Sequence, residues 1–463
     1  MRTLLRHGTI VNADGQRRAD VLIDGDRIAS IGTGFSGGAD RVIDATGRLL
    51  LPGGVDVHTH LDMPLGDIRT ADDFASGTTA AACGGTTTVV DYATQAKGGS
   101  LHEALDAWMA RAVGRAVVDF GFHMCISDLC DQVEAEMDAL VAEGVPTFKL
   151  FMAYPDRLML NDGEIFRVLR RTAANGGLVC LHAENGPVID VLVREALAAG
   201  HTAPRFHAVT RPPLVEEEAV HRGIVLARMA GAPLYIVHLS SAGALEEVSA
   251  ARQRGDGVLA ETCPQYLVLS DDAYEGPGFD GARFVMSPPL RARGTQDALW
   301  AGLACGDLQV VATDHCPFLL SQKARGRDDF SRIPNGAPGI EHRMTLLFDA
   351  GVRGGRFSVE RFVEMTAAAP ARIFGLYPRK GVIAEGSDAD VLVFDPSGST
   401  TISAATHHMR VDYNPYEGRT LAGAVDMVLA RGDLIVQGGR FVGAAGRGRF
   451  LARAPFKRKS LRE

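Results

Sequence analysis

The chain has 463 residues, of which 46% are hydrophobic and 22% charged, enough to bury a large core and to build more than one domain. A formal net charge of −8 and a sequence pI of about 6.0 give no basis for binding nucleic acid or an anionic membrane surface. Seven cysteines, odd in number and scattered singly through apolar segments, point to reduced thiols of the cytoplasm rather than a disulfide framework, and no apolar run approaches a membrane span.

The first fifty or so residues alternate short strands with turns, one over 4–12 and a pair within 19–32 divided by the hairpin signal Asp24-Gly25-Asp26. The apolar segment 49–57 then closes on His58-Thr59-His60. Side chains two apart on an extended strand share a face, so both imidazoles aim at one point where the strand leaves its sheet. Alone, such a pair is either half a metal site or two hydrogen-bonded histidines.

Four later segments repeat the pattern. Strand 145–152 holds Lys149 inside an apolar run, where a lysine is rare without a partner or a task. Strands 177–185, 233–241 and 308–316 close on His182, His238 and Asp314. Each singly reads as a satisfied polar group at a strand end. Together, apolar strands ending in His, Lys, His, His and Asp are the pattern of catalytic residues crowning the C-terminal face of a (β/α)8 barrel. Between them, 101–116, 131–143, 164–174, 188–199, 215–229 and 242–253 have helical periodicity, and strands at 86–92, 120–126 and 257–261 fill the remaining places.

Strand texture returns at 390–395 and 425–440. Neither end of the chain has strands enough for a stable sandwich, so the two are expected to pair into one small β domain. The expected division is a β domain from 1–51 and 379–442, a catalytic barrel from 52–378, and a basic tail over 443–463 that is solvated or wraps another subunit.

Several segments, in order, are similar to those of the hydantoinase and dihydropyrimidinase family of cyclic amidohydrolases: Gly53-Gly54-Val55-Asp56-Val57-His58-Thr59-His60-Leu61-Asp62-Met63-Pro64, Gly84-Gly85-Thr86-Thr87-Thr88, Phe148-Lys149-Leu150-Phe151-Met152-Ala153-Tyr154, Glu261-Thr262-Cys263-Pro264-Gln265-Tyr266-Leu267, Ala312-Thr313-Asp314-His315-Cys316-Pro317-Phe318 and Pro334-Asn335-Gly336-Ala337-Pro338-Gly339. The resemblance runs to roughly Val442 and implies a (β/α)8 TIM-type barrel of the amidohydrolase superfamily. It also implies a β-sandwich from both termini, two Zn2+ per chain, and a homotetramer or homodimer. One metal would take His58, His60, Lys149 and Asp314, the other Lys149, His182 and His238, with Lys149 carboxylated on its Nζ. The chemistry agrees, because an ammonium beside two dications is both desolvated and repelled, and the neutral amine that results can add carbon dioxide to become a bridging anion.

By the same resemblance, Asp314 carries the proton from the attacking water to the leaving nitrogen, Tyr154 hydrogen-bonds the oxyanion, and Ser287 and Asn335 mark where the backbone binds the substrate's imide. His315 points to the opposite face of its strand and reads as structural. Related dihydroorotases and allantoinases carry an arginine soon after the H-x-H, whereas Leu61, Asp62, Met63 and Pro64 supply no cation, which disfavours an anionic ring. Leu65, Phe151, Leu158 and Met159 suggest an apolar lid over a ring substituent, as in enzymes that hydrolyse 5-monosubstituted hydantoins to N-carbamoyl amino acids. Dihydropyrimidinase is the alternative main activity. The fold also occurs in scaffold proteins that have lost metal ligands, but here every ligand position is filled.

Overall fold

The computed structural model describes residues 1–35 and 38–457. Eight parallel strands follow one another around a barrel: β1 (Gly54–Thr59), β2 (Thr86–Thr94), β3 (Asp119–Cys125), β4 (Thr147–Phe151), β5 (Leu178–His182), β6 (Leu234–Ile236), β7 (Val258–Thr262) and β8 (Val310–Val311). A parallel bridge from Thr59 to His315, beside a bond from His60 N to His315 O at 2.9 Å, brings the last strand back to the first. Strands covered on both faces lose the alternation of a half-exposed sheet, which is why these segments read as continuous apolar runs. Between them, helices such as Leu101–Ala112 and Asp162–Asn175 begin on capping boxes, Ser100 with Glu103 and Asn161 with Glu164, that satisfy the first free backbone amides.

Two strands are shorter than the sequence pattern suggests. The expected strand 308–316 forms a continuous ladder only at Val310–Val311, with isolated bridges at His315, and 233–241 only at Leu234–Ile236. In both, the ladder ends shortly before the functional residue, and Asp314 (φ 51°) and His238 (φ 39°) adopt left-handed backbone that no ladder accommodates.

Both termini supply the second layer structure. A seven-stranded sheet runs Arg440–Phe441, Asp433–Gln437, Thr420–Ala430, Val391–Thr401, Leu49–Pro52, Thr9–Asn12, Gly15–Arg18, so the N-terminal Leu49–Pro52 pairs directly with the C-terminal Val391–Thr401. A four-stranded sheet of Arg27–Gly32, Asp20–Asp24, Arg2–Arg6 and Arg41–Asp44 faces it, with Leu5, Ile23, Leu50, Val391 and Leu429 packed between them. The Gly25-Asp26 turn joins the paired Asp24 and Arg27 as the hairpin signal requires. The segment 4–12, by contrast, is two strands: the chain switches sheets at His7 and Gly8, and a Cβ on Gly8 would lie 2.7 Å from the Leu50 side chain.

A buried seam joins barrel and β domain at the N-terminal end of β3. Lys380 Nζ reaches Asp119 at 2.7 Å, Asp390 at 2.7 Å and Asp388 at 2.9 Å, while Arg431 Nε reaches Asp119 at 3.1 Å. The basic tail does not stand free in solvent over 447–456, although Arg449, Ala452, Ala454 and Pro455 are exposed. Leu451 N bonds Phe120 O at 2.7 Å, Arg453 N bonds Gly144 O at 3.0 Å and Phe456 N bonds Gly176 O at 2.9 Å, so the tail lies across the entrances of β3, β4 and β5. Free backbone groups at those strand starts need partners, and the tail supplies them. Residues 458–463 of the tail lie outside the described residues.

Candidate metal centre

His58 and His60 project from the end of β1 on one face, as their spacing requires, and meet Asp314 from beyond β8. Both Nε2 atoms lie 3.1 Å from Asp314 Oδ1, and the ligand atoms of the three side chains all fall within 4.8 Å of one another. His58 Nε2 is nonetheless buried with no hydrogen-bond partner. Three donors converging on one point without bonding each other properly is the geometry of a site that a cation completes.

The tautomer of His58 is set from behind. Its Nδ1 bonds the Glu261 carboxylate at the end of β7, and Glu261 also accepts from Tyr235 Oη at 2.8 Å and from His238 N at 3.2 Å. A proton held on Nδ1 leaves the Nε2 lone pair free to face Asp314.

The second pair follows the same logic. His182, at the end of β5, donates through Nε2 to Glu184 at 2.9 Å, which frees its Nδ1, and that atom lies 2.9 Å from His238 Nε2. Burial pushes both imidazoles below the usual histidine range, His238 well below, so both are neutral, the form that ligates a metal. Burial likewise brings His60 down to about 4. Burial works against ionisation of Asp314, but His58 and His60 outweigh it and hold the carboxyl well below the usual carboxylate range.

Lys149, on β4, lines the same cavity as both histidine pairs and is 1% exposed. Its Nζ lies 4.7 Å from the centre of the Tyr92 ring and 5.1 Å from that of Phe151. Burial lowers its pKa against the pull of Asp314, which favours the neutral amine.

These groups form the floor of a cavity of about 630 Å3. Tyr154, Ser287 and Asn335 stand on its wall, with Asn335 Nδ2 bonded to Ser287 Oγ at 3.1 Å; burial raises the Tyr154 pKa, against a lowering influence of the Ser287 and Asn335 side chains. Tyr154 (φ 64°), His238 and Asp314 share left-handed backbone, a strain that concentrates where side-chain direction matters more than stability. Leu65, on the hairpin Pro64–Leu65 with Ile68–Arg69, lines the cavity with Phe151 and Leu158, whereas Met159 does not. His315 is turned away and buried, its Nε2 3.1 Å from Asp72 and its Nδ1 accepting from Gly339 N at 3.1 Å.

Every ligand candidate from the sequence is thus brought to one place. What the sequence reading missed is the support: Glu261, Glu184 and Tyr92. Glu261 was visible as an acid ending an apolar strand, the same signal that marked Asp314. The absence of a cation after His60 also proves local, since Arg157, Arg211, Arg325 and Arg332 line the cavity from other loops. Arg325 is neutralised by Asp67 at 2.7 Å.

Residues 49–435 match the model of the amidohydrolase family. A D-hydantoinase of Streptomyces coelicolor is 53% identical over 98% of each chain. The solved dihydropyrimidinase of Brevibacillus agri NCHU1002 superposes with a TM-score of 0.98 at 51% identity, covering 99% of this chain and 100% of that one. The solved L-hydantoinase (dihydropyrimidinase) of Arthrobacter aurescens superposes with a TM-score of 0.89 at 30% identity, covering 97% and 99%.

Proposed function

The chain belongs to the amidohydrolase family, and on that premise we propose that it is a two-metal cyclic amidohydrolase that opens 5-monosubstituted hydantoins to N-carbamoyl amino acids. The observation that carries this reading is that His58, His60 and Asp314 converge with their ligand atoms within 4.8 Å of one another, that His182 and His238 meet at 2.9 Å, and that Lys149 lines the same cavity as both groups. Nitrogen and oxygen donors of this kind suit zinc. His58, His60 and Asp314 would hold one ion and His182 and His238 the other, with Lys149 between them. Lys149, whose amine burial favours in its neutral form, could add carbon dioxide, forming an N–C bond and releasing a proton, and the carbamate so formed would be the anion that helps hold both ions. Bound there, the metals supply Lewis acidity, lowering the pKa of a water and polarising the ring carbonyl.

The chain's own groups do the rest. Asp314, held ionised, accepts the proton of the attacking water and passes it to the nitrogen that leaves as the ring amide bond breaks. Tyr154 donates its hydroxyl hydrogen to the developing oxyanion. The backbone at Ser287 and Asn335 holds the imide that all such rings share, while Leu65, Phe151 and Leu158 cover the 5-substituent.

The dihydropyrimidinase name of a relative with 51% identity makes dihydropyrimidine hydrolysis the second reading. Comparing kcat/KM on 5-methylhydantoin, 5-phenylhydantoin, dihydrouracil, allantoin and dihydroorotate decides between them: the hydantoins should lead. Failure to open any of the five rings would overturn both readings.

Two further proposals accompany this one. All seven cysteines are free thiols, which supports a cytoplasmic location; no helix among the described residues is long and apolar enough to cross a membrane. The helix Gly186–Ala198 buries only Gly186 and Ile189 and exposes Val188 and Val191, and Val209 and Leu214 are exposed just after it. Apolar surface of this kind supports association into a homotetramer or homodimer.

A further inference from the structure

The short helix Leu320–Lys323 and the turn Ala324–Gly326 that continues it stand outside the metal cluster, yet they bond both the lid hairpin and the segments that carry Ser287 and Asn335. Gln322 Nε2 bonds Arg69 O of the lid hairpin at 2.9 Å, and the Arg325 guanidinium grips Asp67 at the hairpin's tip with bonds of 2.7 and 3.0 Å. Between these two residues, Lys323 turns inward. It is completely buried, and its Nζ donates to Val285 O at 3.0 Å and to Pro334 O at 3.0 Å.

No carboxylate lies within ion-pairing distance of this ammonium among the described residues. Burial brings its pKa down to about 7. Placing an unpaired cation in the interior is costly, and an apolar side chain of the same length would fill the space at less cost. What an apolar side chain cannot do is bond two carbonyls at once. Those carbonyls belong to different segments: Val285 leads into Ser287, and Pro334 precedes Asn335. Gly336 N bonds Val285 O as well, at 3.0 Å, and the Asn335 and Ser287 side chains bond each other. Lys323 is therefore the inner member of a set of ties that makes the two segments one unit.

Resting on the reading of these segments as the backbone partners of the substrate imide, we propose that Lys323 is a positioning residue that fixes their spacing and so sets the affinity for the ring common to every substrate. It touches no reacting atom. Losing it should weaken ring binding and leave the metal chemistry in place.

The test uses purified, metal-loaded full-length protein and compares wild type with Lys323→Met and Lys323→Arg on 5-methylhydantoin and 5-phenylhydantoin. For Lys323→Met, KM should rise about tenfold or more, the scale of one lost charge-assisted hydrogen bond expressed as affinity, with kcat within about threefold and metal content unchanged. The rise should be equal for the two substrates, because the segments hold the ring rather than its substituent. Lys323→Arg keeps a buried cation with donors for both carbonyls and should fall between, with KM raised about threefold. An unchanged KM, or a loss of metal and kcat in parallel with no change in KM, overturns the assignment. If Lys323→Met does not fold, Lys323→Arg decides alone on the same two quantities. A wild type that opens neither hydantoin would sink the reading of the site itself, whereas wild-type turnover with an unmoved KM in the variants sinks only the role of Lys323.

Discussion

The barrel buries a lysine at each end, and the two are solved in opposite ways. At the N-terminal end, Lys380 is surrounded by Asp119, Asp388 and Asp390, and despite burial these carboxylates raise its pKa above the usual lysine value. At the C-terminal rim, Lys149 faces the rings of Tyr92 and Phe151, and burial lowers its pKa. The first is a closed account in which every charge has a partner, and it fastens β3 to the β domain. The second is held short of partners among histidines whose nitrogens point at one another. Where a protein leaves buried donors unpaired and buried backbone strained, it is keeping room for a ligand.

The contrast predicts that removing either lysine breaks a different property. Lys149→Ala should abolish activity by about a thousandfold or more and lose metal with it, since an electrostatic centre rather than a single contact is removed; short-chain carboxylic acids should restore part of both. Elemental analysis alongside turnover checks this, and a fully metallated variant with near-normal turnover would falsify it.

Lys380→Met should do the reverse, costing about 3–5 kcal/mol of stability because three carboxylates lose their buried partner, with metal content and kcat preserved at a permissive temperature. The seam also has a pH signature. Burial opposes it, but Lys380 and Arg431 hold the Asp119 pKa below its ordinary 3.8, so its stabilisation is present above that value and lost as pH falls. Lys380, raised, contributes below 10.5 and loses that contribution only as pH climbs through its folded value. Thermal melts across the acid range should therefore show wild type losing stability more steeply than Lys380→Met. Parallel acid limbs would remove Lys380 from the account.

Within the rim, Glu261→Gln sharpens the comparison. The shape is kept but the anion that holds the proton on His58 Nδ1 is gone, so metal affinity should fall about 10–100-fold. Titration against a chelator measures it; affinity equal to wild type would mean that the tautomer is fixed by something else. The smallest effect is expected at the lid. Leu65→Ala or Leu158→Ala should shift the ratio of kcat/KM for 5-phenylhydantoin over dihydrouracil by about 1–3 kcal/mol toward the aryl substrate without changing metal content. Equal proportional losses on both substrates would assign the lid to closure rather than selection.

The rim was legible in the sequence and the seam was not, for a physical reason. Apolar runs of strand length that lead to a polar residue mark the C-terminal rim of a barrel, so His58, His60, Lys149, His182, His238 and Asp314 could be gathered as candidates from those segments. Partnerships across distant segments leave no such mark. Lys380 and Asp119 are separated by 261 positions, and Lys323 lies in Ser321-Gln322-Lys323-Ala324-Arg325, which reads as surface. The tail misleads by composition: Arg453 looks solvated but is 3% exposed, bonding the Thr147 hydroxyl at 2.7 Å. Left-handed backbone at His238 and Asp314 is equally silent, since neither residue type demands it.

Lys149 as a carbamate between two metals is tested most directly by 13C NMR of the native holoenzyme equilibrated with 13C-labelled bicarbonate, with metal counted on the same sample. One carbamate carbon signal and two metal ions per chain are predicted, the signal vanishing in Lys149→Ala. Two tightly held metals in wild type with no carbamate carbon would contradict the account.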